Sequence, residues 1–124
     1  AESFNTTEPV ILININKLYN REMTSDALYE ATRKSWVVGE RRNKAKYGIA
    51  TYRGLTREVY KINEWYKVPE HGKNRWGFIG EIANDSIRQS LRYKSISDLL
   101  KPGAANPIKY VNCWRCDLVS NCKS

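Results

Sequence analysis

Apolar residues run through this chain in two rhythms, one short and one of helical length. Val10-Ile-Leu-Ile13 is nearly unbroken and β-branched, which predicts a strand over 8–16 covered on both faces. Asn14 and Asn16 interrupt it, and Tyr19-Asn20-Arg21 reads as a turn. Leu28, Ala31, Thr32 and then Ser35 or Trp36 recur at helical spacing, so the main helix is expected over 24–36. Thr24 suits its N-cap, Asp26 its first turn, and Met23 can staple against Leu28. Arg33 and Lys34 fall in the last turn, where the helix dipole favours cations.

A two-residue period returns after Gly39. Residues 44–51 alternate Ala45, Tyr47, Ile49 and Thr51 with Lys44, Lys46, Gly48 and Ala50, which predicts a strand. Arg53-Gly54 is a hairpin turn, with Gly54 supplying a positive φ. The return strand, 55–68, has a mixed period that places a bulge or bend near Ile62-Asn63. Pro69 to Asn74 is a polar loop, and 75–83 is a further strand in which Gly77 and Gly80 mark close backbone approach or a bulge. Asp85 or Ser86 can cap a short helix reaching Tyr93, with Ser86 and Gln89 at capping-box spacing. Ser95 with Asp98 opens a second short helix, stopped at Lys101-Pro102-Gly103, and 107–113 is the last strand. Strand, helix, three-strand meander, helices, strand predicts an α+β domain. Its centre is a small, highly curved mixed sheet or partial β-barrel, with one main helix and two short ones. One domain is expected over 1–124, with 1–8 a flexible arm and 113–124 a cysteine-containing tail.

Composition narrows the class. Hydrophobic content of 41% and charged content of 27% are those of a globular domain. No apolar run approaches the roughly 20 residues of a membrane span, and no signal-peptide pattern is visible. Cys113, Cys116 and Cys122 are an odd set crowded at one end, which points to a reducing, cytoplasmic setting over a disulfide scaffold. The chain opens on Ala1 and not Met, which leaves room for a larger parent protein or an effector nuclease as partner.

Charge changes the picture most. Residues 33–61 carry nine cations against two anions, +7 of the net +8. Arg33, Arg41, Arg42, Lys44, Lys46, Arg53 and Arg57 are candidate phosphate contacts, and Trp36, Tyr52, Trp65 and Trp76 candidate aromatic walls. Cations interleaved with rings in strand rhythm suit a polyanion with flat faces, so nucleic acid, DNA or RNA, is the expected partner. Asn63 or Asn74 can read a base edge. The same charge also fits an interaction or inhibitor domain that docks on an acidic protein.

Catalytic signals are sparse. The single histidine, His71, lies in a loop, and no nucleophile elbow accompanies it. No phosphate loop or dinucleotide fingerprint is present, and no cofactor is expected. The enzyme alternative is a small metal-dependent nuclease using Glu58, Glu64 or Glu81. Tyr47-Gly-Ile49 and Phe78-Ile-Gly80 are similar to the paired motifs of a GIY-YIG nuclease, but the gap between them is too long. Cys113-x-x-Cys116 with Cys122 is half a zinc site, needing His71 or Asp117 as fourth ligand.

Thr32-Arg-Lys-Ser-Trp36, Arg41-Arg42, Tyr47-Gly-Ile-Ala-Thr-Tyr-Arg-Gly54, Val59-Tyr-Lys-Ile62 and Trp65 together resemble the small PUA-like and EVE-like barrels. Phe78-Ile-Gly-Glu81 and Asn106-Pro-Ile-Lys-Tyr-Val-Asn112 extend the likeness over most of the chain. The resemblance implies binding of RNA or of modified DNA bases, in some members as a specificity module of a restriction or defence system. It transfers no residue role one for one.

Overall fold

The computed structural model describes residues 1–103 and 106–114. Its strands are β1 (Val10–Asn14), β2 (Trp36–Val37), β3 (Tyr47–Tyr52), β4 (Leu55–Lys67), β5 (Arg75–Ile82) and β6 (Ile108–Val111). They form one sheet in the order β2-β5-β4-β3-β1-β6. β1 runs parallel to β3, and every other pair is antiparallel. The helices are α1 (Ser25–Arg33) and α2 (Asp85–Leu91). The sheet curls until its two edges nearly meet. Arg41, which follows β2, donates from Nε to the Cys113 carbonyl just past β6 at 3.0 Å, and its guanidinium lies 4.7 Å from the Tyr110 ring centre. The expected α+β class with a curved mixed sheet and a three-strand meander, β3-β4-β5, is what the chain forms.

The curl has two sources in β4. Between Ala50↔Glu58 and Thr51↔Thr56 the register leaves Arg57 as an extra residue, and between Ile62↔Gly80 and Glu64↔Ile79 it leaves Asn63. Each bulge bends the strand and raises its twist. The second lies where the mixed period of 55–68 predicts it. Opposite it, Gly80 lets the β5 backbone come so close that a Cβ there would sit 2.3 Å from the Lys61 carbonyl oxygen. The β3–β4 hairpin turns on Arg53 (φ 50°) and Gly54 (φ 75°), as two-residue hairpins demand.

Both faces of the sheet are covered. On one, Ile11, Ile13, Tyr60 and Phe78 pack with Leu28 and Tyr29 of α1. On the other, Val10, Leu12, Ile49 and Val59 pack with Ile87 and Leu91 of α2 and with Phe4. β1 therefore serves both cores, which explains its unbroken apolar run: Val10 to Ile13 are all at most 2% exposed.

Several boundaries differ from expectation. Thr24 does cap α1, its Oγ1 accepting from the Ala27 amide at 3.0 Å, but the helix ends at Arg33. Trp36 instead pairs with Trp76 across β2 and β5, because its ring gains more from the core than a further helical turn would offer. Glu40–Lys44 is a 3₁₀ turn, so β3 begins only at Tyr47 and carries no cation; the positive charges flank it. Asn84, not Asp85 or Ser86, caps α2, accepting from Ile87 at 3.0 Å. α2 stops before Tyr93, which takes a φ of 60°, and the second short helix is a single 3₁₀ turn, Ser97–Leu99. The N-terminal arm is seated: Phe4 and Ser95 share a backbone hydrogen bond of 2.7 Å, and Lys94 pairs with Glu2 at 3.0 Å. Cys113 belongs to the core and not to a tail, its thiol 3.4 Å from the Val10 carbonyl. Cys116, Asp117 and Cys122 lie outside the described residues. Among the described residues no helix is long and apolar enough to cross a membrane.

Candidate functional site

The bulge at Arg57 sets its side chain in a cleft between the 19–28 segment and α2, with a volume of about 280 Å³. Arg21, Arg57, Arg88 and Arg92 line it, around a single carboxylate, Glu58. Arg88 and Arg92 come together because they stand four residues apart at the end of α2. Glu58 is 4% exposed, since β4 buries it beneath them. Arg88 grips it with both arms, Nε to Oε1 at 2.8 Å and Nη2 to Oε2 at 3.0 Å. The Val59 amide donates to Oε1 at 3.1 Å, and Arg92 Nη2 stands 3.7 Å from Oε2. Four arginines and one carboxylate line the cleft, an excess of positive charge among its lining residues.

The Arg57 side chain makes no hydrogen bond or ion pair with the described residues. Its guanidinium lies 5.3 Å from the Tyr19 ring and 5.5 Å from the Tyr52 ring. Those two rings stack with centres 4.3 Å apart. Its Nε is buried and has no hydrogen-bond partner among the described residues. Thr24 and Ser25, at the start of α1, complete the wall.

Burial pushes the Glu58 carboxyl up, but the Arg88 hydrogen bonds, the Val59 amide and the charges of Arg92 and Arg88 outweigh it. The group is held below its ordinary value of 4.5. A depressed carboxyl contributes stability above its unfolded value, and that stability is lost as pH falls through the folded one. Urea midpoints should therefore decline as pH drops below about 4.5, and Glu58→Gln should flatten that part of the profile. An equal decline in both proteins would show that Glu58 contributes nothing.

The expected site residues do not converge on one hollow. Tyr52, Arg53 and Arg57 gather at one end of β4, where Arg53 lies 5.3 Å from the Tyr52 ring. Arg42 and Trp76 gather at the other, with the guanidinium 3.5 Å from the indole centre and Lys67 at 5.7 Å. Arg33 is held by Glu30 at 2.7 Å and donates to the Tyr66 hydroxyl. Arg41 is the strap across the sheet edges. Trp65 is a core plug and not a wall, its Nε1 donating to the Arg42 carbonyl at 3.1 Å and its ring edge-on to Phe78. Trp36 donates to the Thr32 carbonyl at 2.8 Å and keeps part of its ring exposed. Lys44 is exposed, and Lys46 stands 4.0 Å from Glu8. Asn63 is the bulge residue, 3.4 Å from Glu81, and Asn74 is a turn residue with φ 61°.

The nuclease carboxylates are not assembled either. Glu58 is engaged by arginines, while Glu64 and Glu81 are exposed on β4 and β5. Among the described residues no three His, Cys, Asp or Glu side chains cluster closely enough to hold a metal ion. His71 ends an exposed 3₁₀ turn, Pro69–His71.

Tyr19, Arg21, Arg88 and Arg92 are the site residues that the sequence reading missed. The four-residue spacing of Arg88 and Arg92 was a usable signal for a shared helix face. Nothing along the chain announces that this face meets Arg57 and Arg21. No protein-family model, no curated protein and no solved structure matches the chain.

Proposed function

We propose that this protein is a nucleic-acid-binding module whose arginine-lined cleft takes a backbone phosphate. The observation that carries the reading is Arg57, set by a bulge in the wall of a cleft that Arg21, Arg88 and Arg92 also line. Guanidinium forks match phosphate oxygens two at a time, and the stacked Tyr19 and Tyr52 beside Arg57 offer a ring surface to a neighbouring base. The curled, nearly closed sheet supports the likeness to PUA-like and EVE-like barrels and, with it, an unpaired or modified base as the preferred ligand.

Titrating labelled oligonucleotides, single-stranded and duplex, at graded salt tests the proposal. Binding should weaken with salt with a slope of about −0.7 per neutralised phosphate for single strands, and magnesium should not be required. Polyglutamate competing as well as an oligonucleotide of equal charge would instead identify an acidic protein as the partner. Absence of oligonucleotide binding at low salt would refute the reading.

A further inference from the structure

Two further hollows, which share no lining residue with the cleft, are not accounted for by a single phosphate site. The second, about 450 Å³, lies between the 14–18 segment and Trp36, with Lys17, Leu18 and Pro107 on its walls. The third, about 400 Å³, is bounded by Trp76, Lys67, Lys73 and Arg75. Among the described residues no carboxylate lines either one. Each has a tryptophan on its wall and at least one cation, the pairing that suits a base with its phosphate alongside.

Chain adjacency and strand register relate the three hollows to one another. Leu18 of the second is bonded to Tyr19 of the first. Trp36 of the second stands directly opposite Trp76 of the third in the β2–β5 register, and directly opposed residues project to one side of a sheet. Tyr19, Trp36 and Trp76 also pack on the same face of the core. Three rings therefore border that one core, each with a cation beside it. Leu18 is 49% exposed, an apolar side chain that phosphate binding alone does not explain. Trp36 has its indole N–H committed to Thr32, so what it shows outward is ring and not donor.

We infer, resting on the reading of the cleft given above, that the ligand is a single strand which enters at the cleft and runs past Trp36 to Trp76. From Arg57 to Lys67, β4 takes ten residue steps, at most about 33 Å and less along a strand bent at two bulges. That bounds the track at about ten nucleotides at the 3.4 Å stacked spacing. A duplex keeps its base faces covered and so gains nothing from the rings.

The test uses single strands of graded length, from a dinucleotide to about ten nucleotides, against the wild type, Lys17→Glu, Lys73→Glu and Trp36→Ala. Affinity should climb with length. Lys73→Glu and Lys17→Glu, both at exposed positions, should each weaken the long strand about fivefold or more while leaving the dinucleotide unchanged. Trp36→Ala should cost the long strand about tenfold, and its tryptophan emission change on binding should be reduced. The two lysine variants decide the matter if Trp36→Ala does not fold. Affinity that is flat beyond the dinucleotide, equal losses for short and long strands, or a duplex that competes as well as a single strand would overturn the track and leave the cleft standing. No binding by any length would overturn the cleft, and the track with it.

Discussion

Gly80→Ala is expected to lower the unfolding free energy by about 3 kcal/mol or more, at the severe end of single substitutions. An added Cβ would lie 2.3 Å from the Lys61 carbonyl oxygen and 3.2 Å from its carbon. Both are backbone atoms of the strand that β5 pairs with, so no rotamer change relieves the clash. The bulge at Asn63 would have to open, and with it the bend that brings the sheet edges together. Gly39→Ala is the control. Nothing lies within 4 Å of a Cβ there, and its φ of −99° suits any residue. Urea midpoints for the two variants should differ widely, and a Gly80→Ala protein as stable as the Gly39→Ala one would refute the close approach.

Arg57→Glu is expected to abolish most oligonucleotide binding, by about thirtyfold or more, or 2 kcal/mol, the scale for losing a buried charged contact. Charge reversal puts a second carboxylate beside Glu58 and removes one of the four arginines that line the cleft. Arg57→Gln separates function from folding. It deletes an unpartnered buried Nε along with the contacts to the Tyr19 and Tyr52 rings, so stability should change by no more than about 1 kcal/mol while binding falls. Calorimetric binding beside urea melts reads both quantities on one sample. Retained affinity in Arg57→Glu would show that the cleft is only an internal ion-pair network around Glu58.

The frame was legible in the sequence where one local cause decides the outcome. The Val10–Ile13 run, the Thr24 cap, the Arg53-Gly54 hairpin and the Asn63 bulge each follow from residues within one element. The errors arose where a distant partner wins. Trp36 leaves the helix because Trp76 and the core are better neighbours than a further helical turn. Lys44 and Lys46 read as a charged strand face, yet the chain folds 40–44 into a 3₁₀ turn so that β3 can start at the apolar Tyr47. The cleft draws on Arg21, Arg57, Arg88 and Arg92 from three separate elements, and no spacing along the chain encodes their meeting. Charge density along the chain did not mark which cations share a cleft: Arg33 and Arg41, in the densest stretch, hold the fold together.

The placement of β1 between β3 and β6 also governs how the polypeptide is made. Ile11 pairs with Gly48 on one side and with Tyr110 on the other, so its second neighbour is translated nearly a hundred residues later. At ribosomal speeds of 5–20 residues per second, a sticky, β-branched segment waits about 5 to 20 seconds with one edge unshielded. Its parallel and long-range pairings also belong to the slowly acquired kind. Synthesis in a cell-free system should therefore give a yield that depends on chaperones which hold nascent strands apart.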